Sequence, residues 1–390
     1  MGASKERILF AIPTLEVGGA ETILLETVKA LHDRYDIDVL VLYDYPDVDT
    51  LAPQMRRYAR VIPIITYYKE APFFKHALES MLWRLKRFLW HRLAPATLHR
   101  LLVKGSYDYE IAFLEGPATR LVGGAPEGST CAIGWIHSDV IDFPWADKCF
   151  RNFDEQLGCY RRFDRVFGVS SQVARHAQEK FGVKVKFVQN IIDGDAVKRA
   201  AVDVLEDEGA KRPLLVSVGS LKPVKGFDRA IRALGALHRE GFSFEFHIVG
   251  EGPDHGALGE LIKQEGLESA VVLKGYQSNP YPYIKRADLY VCSSLSEGFS
   301  GAVTEALILG VPVITTCCAG MSDLLGESEW GLIVDNDEGA LREGIRMLIN
   351  DRGLLEKYRK RAVRRGKDFS QEALAEGFVA AIEGRNDGQV

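Results

Sequence analysis

Two open parallel-sheet α/β domains are predicted for this chain, on three observations. Arg7 to Ile12 is a short apolar run that enters a Gly-Gly turn and then a helical pattern through about Leu31. Leu214 to Val218 restarts the same strand–turn–helix order after a polar, charged stretch from Asp195 to Pro213. From Ala287 to Gly320 a strand (Leu289 to Cys292), a Ser/Gly-rich turn, a helix (Gly301 to Leu309), a Gly-Val-Pro stop and a strand (Val313 to Thr316) follow one another. Strands that alternate with helices in this way build parallel sheets.

The remaining elements fill in between. Further strands are expected over Asp36 to Tyr43, Tyr107 to Phe113, Cys131 to Ile136, Arg165 to Val169 and Lys184 to Gln189. The second half adds Phe244 to Val249, Val271 to Lys274 and Gly331 to Val334. Helices are expected from Cys149 to Cys159, from a Ser170–Ser171 cap to Phe181, up to Arg286 and from Glu338 to Ile349. Two more begin near Leu354 and Ser370.

Composition narrows the class. With 390 residues, 46% hydrophobic and 26% charged, the chain suits a cored globular protein of two or more domains. A net charge of -5 gives no polybasic signature, so no nucleic-acid partner is expected. The six cysteines form no C-x-x-C and read as reduced, mostly buried thiols of a cytoplasmic protein. MGASKERILFAIP runs straight into a strand, with an apolar run too short for a signal segment, and Glu6 occupies the Ser/Thr position of a myristoylation motif. No run approaches transmembrane length. The residues carry no signal of oligomeric state.

Residues 73–104 differ in kind. Phe74, Leu78, Met81, Leu82, Leu85, Phe88, Leu89 and Leu93 recur at helical spacing, with seven Lys and Arg against one acid, Glu79. Trp83 and Trp90 add amphipathic rings of the kind that favour a headgroup interface. The segment reads equally as peripheral docking on the cytoplasmic face of an anionic membrane or as a helix packed on its own domain, with Pro95 ending its first piece.

The chemistry gathers at strand ends. Glu297 lies in the loop after a strand and Glu305 one turn into the next helix, where open parallel sheets bind ligands. Gly298, Ser300 and Gly301 leave the backbone N–H groups there open to an anion. A phosphate would repel the two carboxylates, so they suit hydroxyls, and a nucleotide sugar carries hydroxyls on both sides of its diphosphate. Lys225, just before a helix start, adds a cation for that diphosphate. Gly18 and Gly19 give the first strand–helix turn a small backbone, and His137 stands just past a strand's carboxyl end. Gly250 opens a near match to G-x-G-x-x-G, but His255 takes the last position and no acid ends the following strand, so no dinucleotide site is assigned.

Glu297-Gly-Phe-Ser300 through Glu305-Ala306, followed by Gly310-Val-Pro-Val-Ile314, resembles the signature of the retaining glycosyltransferases of family 4. The resemblance spans nearly the whole chain and is strongest from Pro213 to Gly320. It implies the GT-B architecture: two Rossmann-like domains facing across a cleft, with 1–193 binding the acceptor, 194–369 the donor, and a helix over 370–390 crossing back. Gly18-Gly19-Ala20-Glu21 is similar to the family's loop near donor phosphate and acceptor, and Asn190 to Asp193 to its domain crossover. Carried over residue by residue, His137, Glu297 and Lys225 are the catalytic set, and Glu21, His137 and Asp139 face the acceptor. Gly18, Gly19, Ser220, Lys225, Gly250, Tyr276, Gln277, Glu297, Gly298, Phe299, Ser300, Gly301 and Glu305 contact the donor. The family's arginine after the glycine is Ser220 here, which weakens a two-cation clamp, and Lys222 is the candidate replacement.

The implied reaction moves a hexosyl group from a nucleotide sugar, a UDP-sugar favoured, to a hydroxyl of a glycan or lipid-linked acceptor in cell-surface polysaccharide, glycolipid or glycan synthesis. No cofactor is implied, the nucleotide sugar being a co-substrate. No metal is assigned: Asp47-x-Asp49 matches the metal pair of the other main transferase architecture, but a solvated acidic loop accounts for it. Two rival readings are a nucleotide-sugar 2-epimerase, testable with donor alone, and a non-catalytic nucleotide-sugar-binding protein, which would bind without turnover.

Overall fold

The computed structural model describes residues 5–46, 48, 50–68, 88, 90–202 and 212–385. Met1, Gly2, the Asp47/Asp49 pair, most of 73–90 and residues 203–211 of the charged stretch lie outside the described residues. The chain forms two compact units, Met1–Ile192 with Gln371–Val390, and Asp193–Ser370.

The first unit holds a seven-stranded parallel sheet. Its strands are β1 (Arg7–Ile12), β2 (Asp36–Asp44), β3 (Arg60–Thr66), β4 (Tyr109–Ala112), β5 (Cys131–Ile136), β6 (Arg165–Gly168) and β7 (Val185–Phe187), in the order β3-β2-β1-β4-β5-β6-β7. The chain reverses direction across the sheet between β1 and β4, opening a crevice at their carboxyl ends. Residues 8–12 of β1 are fully buried because helices cover both faces of such a sheet, which is why the strand reads as a continuous apolar run. The C-terminal helix Gln371–Glu383 belongs to this unit: Phe378 stacks on Trp135 with ring centroids 4.7 Å apart, and the Tyr35 hydroxyl donates to Glu383 at 2.8 Å.

The second unit repeats the plan with six parallel strands. These are β8 (Leu214–Val218), β9 (Glu245–Val249), β10 (Val271–Leu273), β11 (Leu289–Cys292), β12 (Val313–Thr316) and β13 (Leu332–Val334), ordered β10-β9-β8-β11-β12-β13. Its crevice lies between β8 and β11. Helix Phe227–Arg239 shows the packing logic: Phe227, Ala230, Ile231, Leu234 and Leu237 fall on one face and are buried. Each large apolar side chain there contributes about 1.5–3 kcal/mol.

Several expectations are corrected. Residues 149–159 are not one helix: a 3-10 turn spans Trp145–Cys149, and the helix Phe153–Arg161 starts only where the Asn152 side chain accepts from Glu155 N at 2.9 Å. The helical stretch before Pro95 stops at Arg92, as expected, and Pro95 itself begins a new helix, Pro95–Leu102, since its missing N–H costs nothing in a first turn. The charged stretch from Asp195 opens as helix Gly194–Ala200, capped by Asp193. Trp90 is 3% exposed and cannot offer its ring to a headgroup layer, while Phe88 and Leu101 are exposed beside Arg92 and Arg100. Cys159 and Cys292 are buried, but Cys317 is exposed and the other three are intermediate, because Cys317 and Cys318 follow β12 in a surface turn.

Among the described residues no helix is long and apolar enough to cross a membrane.

Candidate active site

In the second unit the two turns flanking the crevice are stitched together. β8 and β11 are hydrogen-bonded neighbours, so the loops leaving their carboxyl ends meet although 72 residues separate Lys225 from Glu297. Leu295 N donates to Val224 O at 2.8 Å, and the Ser293 hydroxyl donates to Lys225 O at 3.0 Å. Across this seam Lys225 Nζ lies 2.7 Å from Glu297 Oε1, which also accepts from the Ser294 hydroxyl at 2.6 Å. Burial works to lower the lysine's pKa, but the Glu297 charge and hydrogen bond outweigh it and hold it raised. The ammonium is thus kept charged in a largely buried pocket, 26% of its side chain exposed.

Glu305 sits on helix Gly301–Ile308, whose N-cap Ser300 is buried and makes no side-chain cap bond. Part of the residue reaches the surface, but its carboxyl is surrounded by protein. Burial pushes its pKa up to about 8, against a hydrogen bond from Tyr281. An acid kept near neutrality on an otherwise apolar helix costs stability that a hydroxyl-bearing ligand can return. Burial, Cys292 and then both carboxylates raise the pKa of the Tyr290 phenol, which places Glu305 and Glu297 around the same strand end.

The other donor-side residues fall around these turns. Gly250 has φ +147°, and a Cβ there would lie 1.9 Å from Gly219 O, so this glycine lets the turns after β8 and β9 close on each other. Gly320 has φ +79° and packs against Gly298 O, seating the turn after β12 over Gly298 and Phe299. Tyr276 is 53% exposed, and Gln277 donates to Lys274 O at 2.9 Å, bracing its own turn. Ser220 O accepts from Lys222 N at 2.8 Å. Lys222 itself is exposed and lines a groove of about 490 Å³ with Phe227, Arg232, Asp254 and Leu258, whereas Lys225 is the cation on Glu297.

The first unit sets out a separate group. Gly18 is the N-cap of helix Gly19–Leu31 with an extended backbone (φ -156°), so no left-handed turn demands it; its missing Cβ leaves room for the Glu21 carboxylate instead. Glu21 accepts from the Thr14 hydroxyl at 3.4 Å, and Gly19 faces open space. His137 follows β5 with its ring 4.8 Å from Phe113 and its Nε2 buried without a hydrogen-bond partner. Burial lowers its pKa to about 3, so the imidazole is neutral at pH 7. Asp139 is committed to its own loop: it accepts from Ile141 N and Asp142 N at 3.0 Å and meets His176 Nδ1 at 2.8 Å. With Asp142 these are the candidate metal ligands among the described residues, their atoms within 4.8 Å of one another, but that bonding already explains the cluster.

Sequence reasoning passed over Glu115, His176 and Ser294. Glu115 is fully buried three residues past β4, and its only local signal is an acid in Glu-Gly-Pro directly after an apolar strand.

The two parallel-sheet units have the GT-B fold of the glycosyltransferases. The family profile for Glycosyl transferases group 1 matches residues 205–368. Over 378 residues the chain is 32% identical to the N-acetylgalactosamine-N,N'-diacetylbacillosaminyl-diphospho-undecaprenol 4-alpha-N-acetylgalactosaminyltransferase of Campylobacter jejuni, covering 96% of this chain and 98% of the relative. It is 31% identical to a putative colanic acid biosynthesis glycosyltransferase, WcaL, of Salmonella typhimurium over 48% of this chain and 50% of the relative. The crystal structure of Anabaena HepE in complex with UDP and glucose superposes with a TM-score of 0.74 at 18% identity, covering 96% of this chain and 99% of that one. The chain belongs to the group 1 glycosyl transferases, and the epimerase and non-catalytic readings are not favoured.

Proposed function

We propose that this is a retaining, metal-independent family 4 hexosyltransferase that moves a sugar from a UDP-sugar to a hydroxyl of a polyprenyl-diphosphate-linked glycan in surface polysaccharide or glycan assembly. The observation that carries the reading is the Lys225–Glu297 pair, with Glu305 beside it, at the crevice between β8 and β11. The activity named for the Campylobacter relative and the UDP and glucose named for the Anabaena structure support donor and acceptor class.

In this reading 194–369 holds the donor, 1–193 the acceptor, and 370–390 ties the chain end to the first domain. Glu305 accepts from the ribose hydroxyls and Glu297 from the sugar hydroxyls. Lys225 turns from Glu297 to the diphosphate, where it and backbone N–H groups stabilise the charge that grows on the leaving oxygen. The bond from anomeric carbon to phosphate oxygen breaks, and the acceptor oxygen bonds to the same face of that carbon. The departing phosphate takes the acceptor's proton. His137, neutral, offers the sugar a hydrogen bond without competing for that proton. Contact with the cytoplasmic face of a membrane through 73–104 completes the proposal.

A thermal-shift panel of UDP-, GDP- and ADP-sugars tests it: UDP-sugars are expected to raise Tm, and a shift with none of the three contradicts the reading.

Glu305 adds a pH signature. Its raised pKa means the empty protein loses stability as pH climbs from about 4.5, the ordinary value, to about 8, since the folded state keeps a proton that the unfolded state gives up. Ribose hydroxyls need the ionised carboxylate, so UDP binding releases that proton. UDP affinity should rise with pH up to about 8, by as much as about tenfold per unit, and level off above. Glu305→Ala should mainly raise donor KM, and Glu305→Gln should flatten the pH dependence. Calorimetry showing equal wild-type affinity at pH 6 and pH 8 contradicts this assignment.

A further inference from the structure

We propose that Glu115 is a positioning residue for the transfer reaction: its buried carboxyl fixes the turn that carries His137 at the carboxyl end of β5. The inference rests on the role given to His137 above.

Glu115 leaves β4, one of the two strands that border the first unit's crevice, and it is 0% exposed. Its Oε2 accepts from the His137 backbone N–H at 2.8 Å. Its Oε1 accepts from the Ser138 hydroxyl and from Trp145 Nε1 at 2.9 Å. Trp145 Nε1 also lies 2.9 Å from Ser138 Oγ, which closes a ring of bonds from the end of β5 to the 3-10 turn Trp145–Cys149. Among the described residues no lysine, arginine or histidine forms an ion pair with this carboxyl.

That arrangement is expensive for a mere brace. Burial pushes the Glu115 pKa up, and the donors from Ser138, His137 and Trp145 offset it only in part. An amide could bridge the same elements with no charge to desolvate. What the carboxylate adds is acceptance of three donors at once, which gives the His137 backbone one fixed orientation. The imidazole needs that support, because its Nε2 has no partner and its ring leans on Phe113. Its aim is therefore set by the backbone it hangs from, and Glu115 holds that backbone.

The test compares Glu115→Gln, Glu115→Ala, His137→Ala and Glu115→Gln/His137→Ala with the wild-type chain. Readouts are Tm, amide hydrogen exchange over 137–145, and turnover of UDP-N-acetylgalactosamine and UDP-glucose with an undecaprenyl-diphosphate-linked saccharide. Glu115→Gln is expected to keep its Tm and to exchange several-fold faster over 137–145 alone. Its kcat should fall about 10- to 100-fold at unchanged donor KM. The double variant should be scarcely slower than His137→Ala. Wild-type exchange and kcat in Glu115→Gln overturn the inference. So does faster exchange spread evenly over the first unit, or losses that multiply in the double variant. If His137→Ala turns over like wild type, or if wild type turns over neither donor, the parent reading fails instead. The exchange over 137–145 then still decides whether Glu115 holds the turn, with Glu115→Ala as the stronger perturbation if it folds.

Discussion

Replacing Lys225 with alanine is expected to lower kcat about 10²- to 10³-fold, the effect of removing one preorganised donor from a developing oxyanion. The empty site shows why so much rests on this side chain. Its ammonium is held 2.7 Å from Glu297, charged and partly desolvated, so little reorganisation separates it from a diphosphate oxygen that comes within reach. Ser220 stands where the resemblance puts a second cation, and Lys222 lines the neighbouring groove, whereas Lys225 is the cation paired with Glu297. Lys225→Ala also leaves Glu297 with Ser294 as its remaining side-chain partner, and the donor-free protein should melt earlier. Lys225→Arg should recover part of kcat. Steady-state kinetics decide: a rise in KM with kcat intact would mean that the lysine binds ground and transition states alike.

Arg120→Ala is expected to cost the first unit about 3–5 kcal/mol, the usual result of stripping one partner from a buried ion pair. Arg120 is 0% exposed and bridges three elements. It meets Glu155 Oε1 at 3.0 Å, donates to Leu93 O at 2.7 Å and donates to Trp90 O. The two carbonyls lie at the end of the helical stretch within the basic segment, which stops just before Pro95, so one cation caps that stretch and neutralises Glu155. Burial acts to raise the Glu155 pKa, but hydrogen bonds from Arg120 and Arg151 N, and the charges of both arginines, hold it below the ordinary carboxylate range. Its contribution is therefore present above about pH 4.5 and fades as pH falls through the depressed value. Urea unfolding should show the loss, whereas Arg120→Met with Glu155→Leu should restore much of it. A change below about 1 kcal/mol in Arg120→Ala would contradict the bridge.

How far the sequence revealed all this depends on burial. Strands β1, β5, β8, β11 and β12 have the bounds their apolar runs predict, since a strand covered on both faces reads as a nearly continuous apolar run. The edge strand β3 escaped notice because it is half exposed and carries Pro63, which breaks the pattern a strand is read from. The Glu297 and Glu305 pair was legible because one strand–turn–helix unit carries both. The Lys225–Glu297 contact was not, for it needs β8 beside β11, a pairing no local pattern encodes. Glu115 and Arg120 were invisible for a related reason: a charged residue looks solvated until the surrounding chain is folded over it.

A crystal structure of the chain with UDP decides the donor assignment. A diphosphate oxygen is expected about 2.7–3.0 Å from Lys225 Nζ, with the ribose hydroxyls on the Glu305 carboxylate. UDP seated instead in the groove lined by Lys222, Phe227, Arg232 and Leu258, with Lys225 still paired to Glu297, would contradict it.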